Sequence, residues 1–385
     1  MKRKKIIILG ATGSIGLSAI NIVENYNDHF EIVGLSAHSN EFKMSEICKK
    51  FQPKKILFSN TDLKKTFNKS NFNKETKIFF GTDSFAELLN LDFDLLINGI
   101  SGFSGMLPTY YAINKGKDVA VANKESLVTA GKLLLDKAKS TGSKVIPIDS
   151  EHNALSQILN HYNINEIEKV ILTASGGPFR EDSKEMLSKR NLKEALNHPT
   201  WKMGPKNTID SATLMNKALE VIEASVLFSM SSEKIEVLVH PESIVHGMVS
   251  LIDGGIISYL SQTDMRVPIF NAMNFPKTYK HFIPPPNFTQ LNFHELNEET
   301  FPSVSLARLA LKKGFIATTY FNASNEIAVD SFLSNKIHIT DIFIIVEKVM
   351  LSANVGDPKS IEEVFEYDKF ARKLAESEIN KLGRK

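Results

Sequence analysis

Short apolar runs alternate with amphipathic stretches through the first 148 residues of the chain. The amphipathic stretches repeat their apolar positions at helical spacing, as residues 14–25 and 43–51 do. This alternation is typical of βαβ units and of a mainly parallel sheet. We therefore predict an α/β domain over residues 1–148. The runs that we interpret as its strands are residues 6–9, 31–35, 55–58, 95–98, 119–122 and 145–148.

From residue 149 to about residue 268 the pattern changes to that of an α+β domain. Asp253-Gly254 separates two of its apolar runs and favours a type I′ hairpin turn between them. The predicted elements are helices over 153–162 and 211–228 and strands over 170–173, 235–239, 244–251 and 256–261.

Prolines interrupt the next segment, and helical periods follow it. Residues 269–296 contain Pro276 and Pro284-Pro285-Pro286 with little periodicity, which favours an extended linker. Residues 297–385 carry helical periods only, and Gly314 stops the first of them. We predict a small helical bundle with helices over 303–313, 322–333, 341–353 and 361–382.

Length and composition bound the class of protein. A chain of 385 residues is expected to form two or three domains, and 42% hydrophobic and 23% charged residues are ordinary for a soluble globular protein. A formal net charge of +2 gives no electrostatic case for nucleic acid or an anionic membrane as a partner. The single cysteine, Cys48, excludes an internal disulfide framework. The basic start precedes only four apolar residues, and no run approaches a membrane span, so we expect a cytoplasmic protein without a signal peptide.

A glycine-rich turn follows the first predicted strand and opens the first predicted helix. Its sequence is Gly10-Ala11-Thr12-Gly13-Ser14-Ile15-Gly16. Glycines at such a turn let the backbone approach a pyrophosphate, which rests on the N-terminus of the helix. The position directly after an N-terminal strand predicts a dinucleotide site, and the alternative is a turn that needs its glycines only for packing.

The residues after the second predicted strand bear on which dinucleotide binds. Enzymes that use NAD usually hold the ribose 2′-hydroxyl with an Asp or Glu at this point. Here the chain continues Ser36-Ala37-His38-Ser39-Asn40, and the first acid is Glu41. A neutral segment tolerates a 2′-phosphate, so NADP is favoured over NAD, although no Arg or Lys stands among these residues.

Two groups of polar residues together indicate a metal site. Asp149-Ser150-Glu151 directly follows an apolar run, and in an extended segment residues i and i+2 point to one face. Asn216, Lys217 and Glu220 fall on one side of a predicted helix. Three carboxylates brought together would repel one another unless a cation lay among them, and oxygen ligands suit Mg²⁺ or Mn²⁺. The alternative is that Asp149 caps a helix beginning at Glu151 and that Glu220 is a surface residue.

A serine and two glycines end the predicted strand over 170–173, in the segment Thr173-Ala174-Ser175-Gly176-Gly177-Pro178-Phe179. Backbone N–H groups freed by glycine, together with a hydroxyl, form a natural oxyanion or phosphate site. Ser211, Asn216 and Lys217 can add a hydroxyl, an amide and a cation to the same pocket. A simple turn would also explain the glycines.

The only tryptophan lies in the polar segment His198-Pro199-Thr200-Trp201-Lys202-Met203-Gly204-Pro205. An aromatic side chain in such a loop favours a lid that closes over a bound substrate and expels water. The alternative is that Trp201 packs against the face of a domain.

Asn123-Lys124-Glu125 follows the predicted strand over 119–122. Ligands of an open parallel sheet bind at the carboxyl ends of its strands. Lys124 is therefore predicted to lie between cofactor and substrate, unless it is simply solvated.

Together and in this order, these segments resemble the 1-deoxy-D-xylulose 5-phosphate reductoisomerase family. The resemblance covers essentially the whole chain. It implies an N-terminal Rossmann-like NADPH domain over 1–148, a central α+β catalytic and dimerisation domain over 149–268, a linker over 269–296 and a C-terminal helical domain over 297–385. The motifs that carry it are GATGSIG at 10–16, ANKESLV at 122–128, PIDSEHNA at 147–154, TASGGPF at 173–179, HPTWKMG at 198–204, DSATLMNKALEVIEA at 210–224 and HPESIVHGM at 240–248.

The resemblance implies roles at matching positions. Asp149, Glu151 and Glu220 become the ligands of one Mg²⁺, Mn²⁺ or Co²⁺ and, with Lys124, the catalytic group. Trp201 and Met203 belong to the lid. The implied substrate contacts are Lys124, Ser150, Glu151, Ser175, His198, Ser211, Asn216, Lys217 and Glu220. The implied cofactor contacts are Thr12, Gly13, Ser14, Ile15, His38, Ser39, Asn40, Asn123, Glu125 and Gly204.

One segment departs from the family pattern. Many members carry a Gly-Lys-Asn type run where this chain has His38-Ser39-Asn40, so Asn40 is retained and the lysine is missing.

The implied activity is the metal-dependent rearrangement and NADPH-dependent reduction of 1-deoxy-D-xylulose 5-phosphate to 2-C-methyl-D-erythritol 4-phosphate. This reaction belongs to the non-mevalonate isoprenoid pathway, and the implied assembly is a homodimer. Another NADP-dependent dehydrogenase of a small phosphorylated substrate is an alternative. A semialdehyde dehydrogenase would need a nucleophilic cysteine, and Cys48 has no motif around it. A non-enzymatic dinucleotide sensor is a third possibility, and it would have no use for a divalent metal.

Overall fold

The computed structural model describes residues 3–201 and 203–382 of the chain, which fall into two compact units. The first unit comprises residues 1–123, 134–153 and 264–283, and the second comprises residues 124–133, 154–263 and 284–385. Each unit has its own sheet and its own hydrophobic core. The three domains and the linker predicted from the sequence stay a prediction, because a division by packing does not test functional boundaries.

A parallel sheet of seven strands forms the centre of the first unit. Its strands are β1 Lys4–Leu9, β2 Phe30–Ala37, β3 Lys55–Phe58, β4 Lys77–Phe80, β5 Leu95–Asn98, β6 Asp118–Val121 and β7 Val145–Pro147. They lie in the order β4-β3-β2-β1-β5-β6-β7. The strand order reverses between β1 and β5, so the carboxyl ends of these two strands flank the point where ligands bind in open sheets.

All six runs predicted as strands in this region form strands, and β4 is an additional one. Lys77–Phe80 was missed because it is only four residues long, lacks alternation and follows a polar stretch without a clear period. The core of the unit includes Ile6, Ile8, Leu35 and Phe58. Its helices are α1 Ser14–Asn25, α2 Glu41–Phe51, α3 Phe85–Leu88, α4 Met106–Asn114 and α11 Arg266–Asn274. Helices α5 Lys124–Thr141 and α6 Ser150–Leu159 have residues in both units.

The prediction of an extended linker over 269–296 is wrong at its beginning. Helix α11 continues to Asn274, and its Ile269 and Met273 are buried in the core of the first unit. The ammonium of Lys4 donates to the Met273 carbonyl at 3.0 Å and fixes the end of this helix. Pro268 lies in the first turn of α11, where a proline is tolerated because its missing N–H would have had no partner.

The second unit contains a five-stranded sheet in which only one neighbouring pair is parallel. Its strands are β8 Ile167–Ala174, β9 Ile235–Val239, β10 Val245–Leu251, β11 Ile256–Leu260 and β12 His294–Glu295. They lie in the order β11-β10-β8-β9-β12, and β8 and β9 form the parallel pair. The hairpin predicted at Asp253-Gly254 is confirmed by the antiparallel pairing of β10 with β11.

The single helix predicted over 211–228 is instead two helices, α9 Pro205–Ala212 and α10 Met215–Leu227. Leu214 separates them with a φ of +56°, a left-handed conformation that an α-helix cannot contain. The four predicted C-terminal helices are confirmed, and their core is continuous with that of the five-stranded sheet. The other helices are α7 Lys184–Leu187, α8 Leu192–Ala195, α12 Ser303–Lys313, α13 Phe315–Leu333, α14 Asp341–Leu351 and α15 Ile361–Lys381.

The predicted fold class is confirmed, with a parallel α/β unit, an α+β sheet region and a helical C-terminal region. Within the described part of the chain, every helix is too short or too polar to traverse a lipid bilayer.

Candidate active site

The glycine-rich turn of the first unit connects β1 to α1 where the strand order reverses. Gly10 has a φ of +70°, and a Cβ there would lie 2.6 Å from the carbonyl oxygen of Gly99, directly after β5. A Cβ at Gly16 would lie 2.3 Å from the carbonyl oxygen of Gly10. Packing alone therefore requires these two glycines, as the alternative interpretation held.

The middle of the same turn is available to a ligand. Gly13 occupies the N-cap position of α1, so no capping side chain covers the first N–H groups of the helix. Gly13 and Ser14 are exposed, and Thr12 and Ile15 are half-buried. The helix N-terminus and its free N–H groups suit a negatively charged pyrophosphate.

The segment after β2 is exposed over His38, Ser39 and Asn40. His38 Nδ1 lies 2.9 Å from the Ser59 hydroxyl. Asn40 caps α2, because its side-chain oxygen accepts the backbone N–H of Lys43 at 3.0 Å. Lys43 therefore lies in the first helical turn beyond the neutral segment, where its ammonium lies 3.1 Å from the Glu46 carboxylate.

Two buried asparagines hold the loop that follows β5. The Asn98 amide donates to the Gly105 carbonyl at 2.8 Å, and its oxygen accepts the N–H of Ile100 at 3.1 Å. The Asn123 amide donates to the carbonyls of Ile100 and Gly102 at 2.7 and 2.8 Å. Asn98 was not predicted from the sequence, where its only indication is a polar residue at the end of an apolar run.

Asp149, Ser150 and Glu151 do not form the extended segment that the sequence predicts. β7 ends at Pro147 and α6 begins at Ser150, so Glu151 lies in the first helical turn. The Asp149 carboxylate accepts the backbone N–H of Ser150 at 3.0 Å, so the capping alternative describes the backbone better. Acidic side chains are favoured here because the helix N-terminus carries partial positive charge. The two carboxylates still come close, with one oxygen of each within 4.8 Å of the other.

Helix α10 places Glu220 in a buried position of the second unit, at 0% exposure. The Lys124 ammonium lies 3.0 Å from one Glu220 oxygen and 2.9 Å from the Asn216 amide oxygen. The Lys217 ammonium donates to the other Glu220 oxygen, and the Asn216 amide donates to the first at 2.5 Å. The prediction that Asn216, Lys217 and Glu220 share one side of the helix is confirmed. The alternatives, in which Lys124 is solvated and Glu220 lies on the surface, are wrong. The roles of these residues stay a prediction.

The glycines after β8 bring a serine next to α9. Gly176 and Gly177 have φ values of +81° and +69°, which side-chain-bearing residues rarely adopt. A Cβ at Gly177 would lie 2.6 Å from the carbonyl oxygen of Ser211. The Gly177 N–H donates to the Ser175 hydroxyl at 3.3 Å. The turn therefore explains the glycines and also positions Ser175 beside Ser211.

The His198 ring connects these two serines to the segment that carries the tryptophan. Its Nε2 lies 3.2 Å from the Ser175 hydroxyl and 3.0 Å from the Ser211 hydroxyl. Its Nδ1 accepts the backbone N–H groups of Thr200 and Trp201 at 3.1 and 2.9 Å. Because Nδ1 accepts, the proton of the neutral ring lies on Nε2. Burial lowers the pKa of His198 and favours this neutral form.

Trp201 and Met203 are half-buried, and Lys202 between them lies outside the described residues. The Trp201 ring meets the His246 ring edge-on, with 6.4 Å between centroids. Burial lowers the pKa of His246 to about 4. Gly204 precedes α9, and a Cβ there would have no described heavy atom within 4 Å. Contact with His246 gives Trp201 a packing role, and its role as a lid stays a prediction.

Glu125, which the family resemblance assigns to the cofactor, makes a buried ion pair in the second unit. Its carboxylate lies 2.9 Å from the Lys206 ammonium, which also lies 2.8 Å from Asp210. Although burial opposes the shift, the Lys206 ammonium lowers the pKa of Glu125. Lys206 was not predicted from the sequence, because a lysine beside a polar loop is usually solvated.

The first unit has the architecture of a dinucleotide-binding domain, and the second supplies cations, hydroxyls and a neutral imidazole suited to a phosphorylated substrate. These features define an NAD(P)-dependent α/β enzyme. Three family models match the chain in succession: 1-deoxy-D-xylulose 5-phosphate reductoisomerase over residues 6–131, its C-terminal domain over 145–228, and the DXP reductoisomerase C-terminal domain over 260–374. The chain belongs to the 1-deoxy-D-xylulose 5-phosphate reductoisomerase family.

Curated relatives match over nearly the full length. The 1-deoxy-D-xylulose 5-phosphate reductoisomerase of Thermoanaerobacter pseudethanolicus is 45% identical over 372 residues, covering 95% of this chain and 97% of the relative. The protein of the same name from Thermodesulfovibrio yellowstonii is 42% identical over 380 residues, covering 98% and 99%.

Solved structures agree with this assignment. A DOX-P reductoisomerase in complex with NADPH, fosmidomycin and magnesium superposes with a TM-score of 0.92 at 36% identity, covering 99% of both chains. The 1-deoxy-D-xylulose 5-phosphate reductoisomerase from Zymomonas mobilis in complex with NADPH gives a TM-score of 0.89 at 37% identity, covering 98% of this chain and 99% of the other.

Proposed function

We propose that this protein converts 1-deoxy-D-xylulose 5-phosphate to 2-C-methyl-D-erythritol 4-phosphate, using NADPH and a divalent cation. The observation that carries the proposal is the buried Glu220 carboxylate with Lys124, Asn216 and Lys217 around it. Ionised groups are placed in a protein interior at considerable free-energy cost, and such groups cluster at functional sites. Family membership supplies the reaction to which this cluster is suited.

The metal ligands in this proposal are Asp149, Glu151 and Glu220. The donor set fits the cation, because carboxylate oxygens are the ligands that Mg²⁺ and Mn²⁺ prefer, and Co²⁺ also accepts them. The closeness of the Asp149 and Glu151 carboxylates supports their acting on one ion. Held by these carboxylates, the cation would supply Lewis-acid activation of the substrate.

The cofactor contacts in this proposal begin at the turn between β1 and α1. The Gly13 N–H donates to the Gly10 carbonyl at 2.9 Å, so Gly13 contributes a close approach of the backbone. The N–H groups of Ser14 and Ile15 and the hydroxyl of Thr12 bind the pyrophosphate. Asn123 holds the loop after β5 in place beside this turn. NADPH supplies the hydride, and His38, Ser39 and Asn40 receive its 2′-phosphate. Glu125 and Gly204 complete the set of cofactor contacts.

Hydroxyl, amide and ammonium groups of the second unit bind the substrate phosphate. The Nε2–H of His198 and the hydroxyls of Ser175 and Ser211 donate to it, and Asn216 and Lys217 add an amide and a cation. The Lys124 ammonium stabilises the oxyanion that develops during rearrangement and reduction. The Ser150 hydroxyl donates to the Glu151 carboxylate, and its oxygen accepts from a substrate hydroxyl. Phosphate binding provides remote binding energy for organising the reacting end.

Trp201 and Met203 form the lid in this proposal. Their segment is tied to the phosphate site, because the Trp201 N–H is bound to the same His198 ring that faces Ser175 and Ser211. Closure over the substrate excludes water from the reacting atoms.

The proposed assembly is a cytoplasmic homodimer. Strand β11 is an edge strand of the five-stranded sheet, and its first residue, Ile256, is exposed, as is Ile252 in the turn before it. Exposed apolar side chains on an edge strand favour pairing with another chain. Light scattering on the purified protein checks the assembly, and a monomer at micromolar concentration would contradict it.

Incubation with 1-deoxy-D-xylulose 5-phosphate, NADPH and Mg²⁺ tests the activity by loss of the cofactor's near-ultraviolet absorbance. We expect turnover that stops with a chelator and returns with Mg²⁺ or Mn²⁺. Turnover that persists without any divalent ion would favour another NADP-dependent dehydrogenase, and cofactor binding without turnover would favour a dinucleotide sensor. In the same assay, kcat/KM with NADPH is expected to exceed that with NADH, and equal values would overturn the cofactor assignment.

A further inference from the structure

A buried polar network in the second unit connects α9 to α5 and α13. We call Glu125, Lys206, Asp210 and Asn325 the α9 network. Lys206 lies 2.9 Å from Glu125 and 2.8 Å from one oxygen of Asp210. The other oxygen of Asp210 accepts the side-chain amide of Asn325, on α13, at 2.8 Å. Each oxygen of the Asp210 carboxylate is therefore held by a different element.

The α9 network lies in the protein interior. Asp210 is 1% exposed and Asn325 is 0% exposed. Although burial opposes the shift, the carboxylates of Asp210, Glu125 and Glu326 raise the pKa of Lys206, which keeps it charged. A buried ionic network is a poor source of net stability, because desolvation offsets most of the attraction. The more informative property of this network is therefore the geometry that it fixes.

Helix α9 has a specific geometry to maintain. It has only eight residues, and so short a helix owes its position to tertiary contacts. It begins after Gly204, at the end of the tryptophan segment, and it carries Ser211 directly after Asp210. The Ser211 hydroxyl lies 3.0 Å from His198 Nε2. A shift of Asp210 would therefore move one of the groups proposed to bind the substrate phosphate.

We propose that Asn325 is a positioning residue for substrate binding, which holds Asp210 and through it places Ser211 beside His198. This inference rests on the proposed function. It gives the C-terminal helices a part in binding the phosphate, in addition to their part in the core of the second unit.

The substitution Asn325→Ala tests the inference in the full-length protein. Removing the amide releases one Asp210 oxygen, so we expect KM for 1-deoxy-D-xylulose 5-phosphate to rise by about tenfold, with kcat changed by less than about twofold. In a Ser211→Ala background, the same substitution is expected to raise KM by less than about twofold, because the group through which it acts is gone. A residue with only a structural role would show no such coupling.

Val329→Ala is the matched control, since Val329 is a buried residue of the same helix whose truncation leaves a cavity in the core. We expect it to lower Tm and leave KM unchanged. Should Asn325→Ala fail to fold, Asn325→Ser, whose hydroxyl is too short to reach Asp210, is expected to give the same KM increase.

An Asn325 variant that lowers Tm without changing KM would overturn the positioning role. The role would also be overturned if Asn325→Ala raised KM equally in the wild-type and the Ser211→Ala backgrounds. Failure of the unsubstituted protein to turn over the substrate would instead overturn the proposed function and this inference with it. The two failures are distinguishable because the first leaves wild-type turnover intact.

Discussion

The two units build their candidate anion sites from different groups. In the first unit, the turn over residues 10–16 offers backbone N–H groups at the start of a helix, and its glycines are closely packed. In the second unit, Ser175, His198 and Ser211 offer side chains, and buried lysines next to Glu220 offer charge. The first site is sensitive to added atoms, because a Cβ would clash with backbone. The second is also sensitive to altered charge, because each buried ion needs its partner.

The largest effect that we expect is on turnover, when a buried carboxylate (Glu220) or a half-buried one (Asp149) is replaced. Glu220→Gln and Asp149→Asn each remove one charged ligand, and several kcal/mol of metal-dependent stabilisation correspond to a loss of turnover of roughly a hundredfold or more. Glu220→Gln is also expected to lower Tm, because it leaves the ammonium groups of Lys124 and Lys217 buried without their carboxylate. Asp149→Asn is expected to leave Tm nearly unchanged, since Asp149 is only half-buried.

Turnover at several Mg²⁺ and Mn²⁺ concentrations, with thermal unfolding of each variant, checks this contrast. Rates near wild type with unchanged metal dependence would show that these acids are capping or structural residues. Equal losses of Tm in both variants would contradict the difference in burial.

A smaller pair of effects follows from two glycines. In Gly16→Ala the new Cβ would lie 2.3 Å from the Gly10 carbonyl oxygen, and in Gly177→Ala it would lie 2.6 Å from the Ser211 carbonyl oxygen. Strain of about 1–3 kcal/mol at such positions corresponds to roughly ten- to a hundredfold in affinity. We expect the first variant to weaken NADPH binding and the second to raise KM for the sugar phosphate.

Gly142→Ala is the control for these variants. It has a φ of +75°, but a Cβ there would have no described heavy atom within 4 Å. It therefore imposes backbone strain without a clash, and both ligands should bind it normally. If Gly16→Ala and Gly177→Ala each weakened both ligands equally, the assignment of these two turns to different ligands would be wrong.

Trp201→Ala tests whether the second site is closed by its lid. We expect turnover to fall about tenfold through loss of water exclusion, with NADPH affinity nearly unchanged. Steady-state rates and cofactor titration measure the two quantities. If Trp201 only packs on His246, its truncation would lower Tm and leave turnover unchanged. That result would refute the role of Trp201 as a lid.

The prediction with the smallest effect on activity concerns how the stability of the second unit falls at acid pH. Burial lowers the pKa of His246 to about 4 from an ordinary value of 6.5, so the unfolded chain binds this proton more readily than the folded protein. Stability from the neutral ring is complete above pH 6.5 and is lost as pH falls toward 4. Urea unfolding at several pH values should show a shallower loss in His246→Gln than in wild type, with rates near pH 7.5 little affected. Parallel curves would contradict this assignment.

The sequence predicted the structural features that local pattern determines, and it did not predict those that tertiary packing determines. The spacing of Asn216, Lys217 and Glu220 places them on one side of a helix, and their hydrogen bonds confirm it. The glycine-rich turn after β1 was likewise predictable, because strand, turn and helix are adjacent along the chain.

Other features depended on contacts that local pattern does not contain. Asp149-Ser150-Glu151 was interpreted as extended because it follows a strand, although an Asp followed by acidic helix formers also begins helices. Lys206 and Asn325 are far apart in the sequence, yet both bind Asp210. Nothing near either residue in the sequence distinguishes it from a solvated side chain. The break at Leu214 was missed because a leucine rarely adopts a positive φ.

The contacts of Glu220 have a consequence for how the protein acquires its ion. Lys124 and Lys217 already neutralise this carboxylate within the second unit. The unit is therefore able to reach its native state while newly synthesised, before any divalent ion is captured. Metal would then be exchangeable in the finished protein, unlike in zinc fingers, which unfold when chelated. Dialysis against chelator should yield a folded protein that different divalent ions can reactivate in turn.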